Sequence, residues 1–404
     1  MDPVVILVFA VVYLAMVLGH LPGLAIDRTG AALLGAIVLV AARRISPHDA
    51  VAAIDVPTMA LLFGLMVVSA QLRLGGFYSE IARRVAAAPV GPARLLAGVI
   101  AVAAGLSAVL ANDVVCLAVT PVLAVGCLRR GLRPEPYLLA LACAANVGSA
   151  ATLIGNPQNM LIGQRLGLGF ASYLADALPP AIAGCAATWA IIALLYRGRW
   201  RCPPAELEAG APAFNRWQSG KGLAVVAVVV VIFLVAPVPR EVVALAAAGV
   251  LLTSRRMHSR DMLGLVDWQL LVLFSGLFIV QLGLESSGVL ARWMADAAAA
   301  GVDLGQPGWL FASAVVLSNL VSNVPAVMLL LPAAHHPQAG PLLALASTLA
   351  GNLLLVGSIA NLIVVEQAAR LGIAIGWRQH ARVGVPVTMA TLAIAAAWLA
   401  LRAS

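Results

Sequence analysis

Apolar side chains run along this chain in long unbroken stretches, with polar residues gathered in short clusters between them. Stretches at about 3-20, 30-42, 57-72, 138-162, 172-196, 222-236, 241-253, 268-285, 342-366 and 384-401 come near the ~20 residues with which a helix crosses a ~30 Å hydrocarbon core. They predict ten crossings. Two further stretches do not fit that rule, because 34 residues separate Arg94 from Arg129 and 31 separate Asp303 from His335. One span needs about 20 residues, and two spans with a turn need about 40. Both stretches therefore predict re-entrant hairpins, over 95-128 and 304-334, each made of two half-length helices that enter and leave on one side. Irregular backbone at such a tip is tolerated only where protein or a water-filled cavity satisfies its amides.

The polar stretch 197-221, with Pro203, Pro204 and Glu206, is the one credible linker, and it divides the chain near its middle. The halves resemble each other. Asp55-Val-Pro-Thr-Met-Ala-Leu-Leu-Phe-Gly64 parallels Asp267-Trp-Gln-Leu-Leu-Val-Leu-Phe-Ser-Gly276, and Leu106, Ser107, Asn112 and Pro121 recur at an offset of 211 as Leu317, Ser318, Asn323 and Pro332. The expected fold is an all-α polytopic membrane protein of two inverted-topology repeats. Residues 1-196 form the first, with a broken helix over 138-162, and residues 222-404 form the second, with a broken helix over 342-366. Five crossings per half is an odd number, which inverts the second half; inverted repeats with broken helices are the architecture of secondary transporters.

Composition closes off other classes. With 62% hydrophobic and 10% charged residues, the chain cannot be a soluble globule, whose charged fraction is about 25%. The net charge of +8 comes from arginines set between apolar runs, which suits loops facing an anionic leaflet and not nucleic acid. With Arg94, Arg129, Arg130 and Arg133 placed inside, 19 of the 25 basic residues fall on the cytoplasmic side. This predicts a multi-pass protein of the inner (plasma) membrane with a cytoplasmic linker, although the Arg43-Arg44 pair sits on the wrong face. The first apolar run follows Asp2 and lacks the basic n-region of a secretory signal, so it reads as a span. Five cysteines lack metal-ligand spacing and read as small buried hydrophobes.

Candidate chemistry lies where polar residues interrupt apolar runs. Asn112 and Asp113 fall at the centre of the first hairpin; a carboxylate at that depth is expensive and marks a cavity, a partner or an ion path, or else a helix cap. The run Asn146-Val-Gly148-Ser-Ala-Ala-Thr152-Leu-Ile-Gly155-Asn156-Pro157-Gln158-Asn159 is expected to break its helix at Pro157, freeing carbonyls for a cation and amides for an anion. The second half supplies Ser322 and Asn323 at its hairpin tip and Gly357, Ser358 and Asn361 in its broken span, with Val324 where the first tip has Asp113. Buried Ser and Asn also serve as glue between helices, but their recurrence at both tips and both breaks points to a shared site. Arg73 and Glu285 occupy equivalent positions and read as solvated interface residues. His335-His336 has no further ligands at metal spacing, no G-x-x-x-x-G-K-[ST] run is present to bind ATP, and no activated nucleophile suggests an enzyme.

Through Ala111-Asn112-Asp113 with Thr120-Pro121, Ile154-Gly155-Asn156-Pro157-Gln158-Asn159 and Ser318-Asn-Leu-Val-Ser-Asn323-Val-Pro325, the chain resembles the ion transporter superfamily. The likeness is to its arsenite permease and sodium/proton antiporter D group, also called citrate-transporter-like, and to the related divalent anion/sodium symporters. The resemblance implies substrate and coupling ion held between hairpin tips and broken spans. It also implies a homodimer in which a transport domain moves against a scaffold. Ala111-Asn112-Asp113 and Ser322-Asn323-Val324 stand where the symporters carry Ser-Asn-Thr. That departure weakens dicarboxylate specificity and leans toward the arsenite permease pattern. The expected function is a secondary active transporter of a small anion or oxyacid (arsenite-like, inorganic anion or carboxylate), coupled to H⁺ or Na⁺ through Asp113. No cofactor or metal is expected beyond Na⁺ at the same positions. A sodium/proton antiporter and a passive anion channel are the competing readings.

Overall fold

The computed structural model describes residues 2–21, 23–205, 207, 210 and 212–403, so that Glu206 of the linker lies outside the described residues. Backbone in hydrocarbon has no water to bond with and must satisfy its amides internally. Accordingly, regular structure among the described residues is helical, apart from two isolated bridges. Ten helices come first: α1 (Pro3–Leu18), α2 (Arg28–Ala41), α3 (Pro47–Ala53), α4 (Val56–Leu74), α5 (Phe77–Ala87), α6 (Pro92–Val109), α7 (Asn112–Arg129), α8 (Glu135–Ser149), α9 (Pro157–Arg165) and α10 (Phe170–Leu195). Ten more follow in the same order: α11 (Arg216–Val235), α12 (Arg240–Leu252), α13 (Ser259–Leu263), α14 (Trp268–Ser286), α15 (Val289–Ala299), α16 (Pro307–Val321), α17 (Asn323–Leu330), α18 (Ala339–Ala350), α19 (Ile359–Arg370) and α20 (Trp377–Ala403). In each set the first, second, fourth and tenth helices are crossings, and the eighth and ninth are two halves of one interrupted crossing. The sixth and seventh form a hairpin.

Side chains at the feet of the first hairpin establish its shape. Arg130, just past α7, donates Nη1 to the Ala86 carbonyl and Nη2 to that of Val90, both at 2.7 Å, and the Tyr137 hydroxyl reaches the Pro92 carbonyl at 3.3 Å. The start of α6, the end of α7 and the start of α8 thus meet at one face. The tip instead touches the gap between α8 and α9, where Thr152 Oγ1 donates to the Ala108 carbonyl and the Asn112 amide to the Gly155 carbonyl. One expectation needs correcting. The arms of this hairpin are 18 residues each, about 27 Å at 1.5 Å per residue, and not half-length; both count among the seven helices long and apolar enough to cross a membrane. The second hairpin is shorter on its return arm, where α17 has 8 residues and gives way to a 3-10 turn at Leu331–Ala333 that contains Pro332.

The helices sort into two bodies, each drawn from both repeats. α4 lies along α12 and α2 along α14, whereas α6 packs on α8, α16 on α18 and α10 on α20. One body is α1–α5 with α11–α15, and the other is α6–α10 with α16–α20. Glycine permits the tightest crossings in the first body: a Cβ on Gly64 would lie 2.6 Å from the Ala244 carbonyl, and one on Gly276 would lie 2.7 Å from the carbonyl carbon of Ala32. Each residue of one contact is 212 positions from its counterpart in the other, so the same crossing is built twice with the halves exchanged. Capping repeats as well, with Asp55 accepting from the Thr58 amide and Asp267 from the Leu270 amide, each at 2.9 Å. The Arg43-Arg44 anomaly has a local answer, since Arg44 Nε pairs with Asp2 at 2.8 Å on the same face.

Gly64→Ala and Gly276→Ala are expected to destabilise the protein by similar amounts, about 1–3 kcal/mol as for other overpacked sites, read as a lowered melting midpoint in detergent. Gly105, with open space where its Cβ would go, should tolerate alanine, and equal behaviour at all three positions would refute the close crossing.

Candidate functional site

The first interrupted crossing is held open by its own side chains. α8 ends at Ser149, and Pro157 does not rupture a helix as the sequence suggests: it occupies the first position of α9, where a missing amide hydrogen costs nothing. Asn156 caps that helix by accepting from the Asn159 amide at 2.9 Å. Gly155 is required by space, because a Cβ there would fall 2.3 Å from the Ser149 carbonyl and 2.8 Å from that of Ser107. Carbonyls released by the break are then collected. Asn159 Nδ2 donates to Thr152 at 3.0 Å and Ser149 at 3.3 Å, and the Tyr173 hydroxyl donates to Ala150 at 2.7 Å.

The second break repeats this arrangement 202 positions later. Ser358 takes the capping place and accepts from the Ala360 amide at 3.3 Å, and Asn361 Nδ2 donates to the carbonyls of Gly351 at 2.8 Å and Leu354 at 3.2 Å. His380 Nε2 meets the Asn352 carbonyl at 3.1 Å as Tyr173 meets that of Ala150. Gly357 lies where a Cβ would come 2.9 Å from Asn319 Oδ1.

Both repeats converge on Asn146. Its Oδ1 accepts from Asn112 Nδ2 at 3.3 Å and Ser358 Oγ at 2.9 Å, while its Nδ2 donates to Asn352 Oδ1 at 2.8 Å and Asn361 Oδ1 at 3.3 Å. The first hairpin tip and the second broken span therefore share one buried amide. Thr348, the counterpart of Asn146, does the converse: its hydroxyl accepts from Asn156 and Gln158 and donates to Asn159, each at 3.2 Å. Asn146 stands within the polar run already described, but nothing in the sequence pattern by itself places it, Asn352 or Thr348 in the site. For Asn146 the signal was an amide inside an otherwise apolar helix; Thr348 and Asn352 are defined only by what they touch across the repeat boundary.

The hairpin tips leave polar groups open. Ser107 and Ser318, the repeated serines, are fully buried with no hydrogen-bond partner for either hydroxyl among the described residues, and the same holds for the Oδ1 atoms of Asn319 and Asn323. Ser322 is held at φ 75°, ψ 160°, a conformation otherwise left to glycine. Neither Ser322 nor Asn323 joins the Asn146 cluster.

Asp113 also lies outside that cluster. It begins α7 beside Asn112 but lines a separate cavity of about 60 Å³ with Arg73, Met66, Asp267, Pro157 and Met160, which is room for about two waters. Its carboxylate makes no hydrogen bond or ion pair among the described residues. Arg73 is thus not merely an interface residue. Glu285 lines a second crevice at the opposite end of α4, with Asp55, Arg165 and Gln281, and accepts from Gln281 Nε2 at 2.8 Å. Among the described residues no group of three His, Cys, Asp or Glu side chains could hold a metal ion.

Comparison with known proteins agrees with this architecture. A family model described as citrate transporter matches residues 4–350. The silicon efflux transporter LSI3 of Oryza sativa subsp. japonica is 30% identical, with 96% of this chain and 95% of that protein covered. The inner membrane protein YbiR of Escherichia coli is 32% identical over 83% of this chain and 85% of its own. In fold, the chain is similar to the crystal structure of the Alcanivorax borkumensis YdaH transporter, with a TM-score of 0.59 at 13% identity over 98% of this chain and 96% of that one.

Asn146→Ala removes the acceptor and the donor of the hub at once, deprives four side chains of a bond, and is expected to cost at least about 2 kcal/mol, since each buried polar group left unsatisfied costs about 1–3 kcal/mol; unchanged thermal unfolding in micelles would refute the hub. Ser322→Gly should raise the unfolding midpoint by relieving about 1 kcal/mol or more of backbone strain, whereas Ser322→Ala, which keeps the strained backbone, should not.

Proposed function

This chain belongs to the citrate transporter family, and from that premise we propose a secondary active transporter of a small oxyacid or anion that works by alternating access and couples to H⁺ or Na⁺ through Asp113. The observation that carries the proposal is the convergence of both repeats, through the two interrupted helices and the first hairpin tip, on buried amides and hydroxyls near an unpaired carboxylate. Broken helices at a repeat interface are how transporter folds build midplane sites, and an ionisable side chain at that depth is costly unless it serves a passage of ions or protons.

The chemistry of the cluster narrows the cargo. Asn112, Asn146, Asn156, Asn159, Ser358 and Asn361 are neutral, and among the residues bonded to them there is no Arg or Lys. Multiply charged carboxylates taken out of water need compensating cations. Amides and hydroxyls instead suit a solute recognised through its own hydroxyls, uncharged or singly charged, such as an arsenite-like oxyacid. The rice relative's name, silicon efflux transporter, is consistent with that class, because dissolved silicon near neutral pH is an uncharged hydroxy acid. Asp113 at a cavity sized for two waters supports the sodium/proton antiporter as the second reading. The distribution of basic residues orients the Arg73 end of α4 to the cytoplasm of a plasma-membrane protein.

In proteoliposomes, Asp113→Asn is expected to reduce gradient-driven accumulation of the oxyacid to the level of empty vesicles while leaving the folded fraction unchanged. Undiminished coupled uptake would remove Asp113 from the mechanism. Proton flux that depends on Na⁺ without any added solute would favour the antiporter, and flux that no cation gradient can drive uphill would favour a channel.

A further inference from the structure

Besides the bonds of Arg130 to the end of α5 and of the Tyr13 hydroxyl to the Pro325 carbonyl, polar contacts between the two bodies gather at the end of α9. Arg240, at the start of α12, donates Nη2 to the Gly163 carbonyl at 2.7 Å and Nη1 to the Leu168 carbonyl at 2.8 Å. Gln164 Nε2 donates to Glu241 Oε2 at 3.0 Å, and Arg165 Nε pairs with Asp55 at 2.6 Å with its guanidinium 5.4 Å from the centre of the Phe278 ring. Four residues of the scaffold-like body, Asp55, Arg240, Glu241 and Phe278, thus grip one helix C-terminus of the other body, where unpaired carbonyls accept such donors.

The equivalent residues exist on the opposite face, and there the grip is not made. Arg28 is the counterpart of Arg240 and Asp267 that of Asp55, each 212 positions away; Val365, Glu366 and Gln367 stand for Gly163, Gln164 and Arg165, each 202 positions on. Arg28 Nε is buried with no hydrogen-bond partner among the described residues. Glu366 pairs with Arg370 on its own helix at 2.6 Å, and among the described residues the Asp267 side chain accepts only from its capping amide. A crevice lined by Arg73, Pro121, Gln367 and Arg370 lies at that end.

We propose that the grip of Arg240 and Asp55 on α9 is a latch that closes the Asp55 face, and that Arg28 with Asp267 forms the same latch on the end of α19 when the second body moves to its other end position. The inference rests on the transporter reading for its motion. Its residues come from the repeat: a body built from two inverted halves has two equivalent end positions, so contacts made on one face in the first are made by their counterparts on the other face in the second. Coupling of this kind needs an element with two discrete arrangements, and the α9 and α19 termini supply it.

The test uses the full chain in proteoliposomes with a protease site inserted after Pro204, so that a cross-link between halves holds the cleaved fragments together. Gln164→Cys with Glu241→Cys reports the latch seen here, and Thr29→Cys with Glu366→Cys reports its counterpart; single-cysteine variants control for the native thiols. Both pairs are expected to cross-link, with closure of either lowering the yield of the other. Arg28→Gln should lower the yield of the second pair about fivefold or more and raise that of the first, and Arg240→Gln should do the reverse. A second pair that never cross-links, or that ignores Arg28→Gln, overturns the latch even in a chain that transports. Cross-linking of both pairs as described, in a chain that moves no oxyacid or ion against a gradient, supports the latch and overturns the transport reading instead.

Discussion

No backbone amide can be left open in the middle of a bilayer, and this protein interrupts two helices there and ends two hairpins beside them. Everything else in the site follows from how those groups are closed. Asn159 and Asn361 collect the carbonyls that the breaks release, Asn156 and Ser358 cap the helices that resume, and Tyr173 and His380 cover the same carbonyl in each repeat. A helix end without such partners would cost several kcal/mol in hydrocarbon, so the amide and hydroxyl side chains are needed for the fold before they are available for a solute. A structural role at these positions therefore does not exclude the binding role proposed for them.

The repeat is faithful in backbone and unfaithful in charge. Gly64 and Gly276 meet Ala244 and Ala32 in the same way, yet Asp113 faces Val324 across the symmetry, and Arg73 faces Glu285. Close helix crossings tolerate no added atom, which keeps the small residues alike in both halves. Side chains lining cavities carry no such constraint. One carboxylate beside the site, and Arg73 at one end of α4 with Glu285 at the other, give an otherwise symmetric frame a direction.

Between the bodies, apart from the close approach of Gly126 on α7 to Ala86 on α5, contacts differ in kind from those within them. Inside each body, helices interlock through glycine and alanine with no room to slide. Across the boundary, the prominent polar contacts are side-chain bonds from Arg240, Gln164 and Arg165 to the ends of helices, which can be exchanged without repacking a core. Such a division suits movement of whole bodies over deformation of either.

Apolar run length and the constant spacing of Asn, Ser and Pro were enough to read the ten crossings, the two hairpins and the inverted halves, because membrane solvation writes itself into composition over ~20 residues at a time. Asn112, Asn156, Ser358 and Asn361 were visible for the same reason, as polar residues where lipid forbids them. Hairpin arm length was misread, since apolar length does not say whether a helix stops at mid-depth or runs on beyond the bilayer. The break before Pro157 was misplaced because proline both ends helices and begins them, and only the Asn156 cap decides which. That Asn112 turns into the amide cluster while Asp113, one residue on, turns out of it depends on a 100° rotation about α7 and on what packs to either side. Asn146, Thr348 and Arg240 gain their partners from segments two hundred residues away or nearly eighty, a proximity set by how the halves interleave and by no pattern local to any of them.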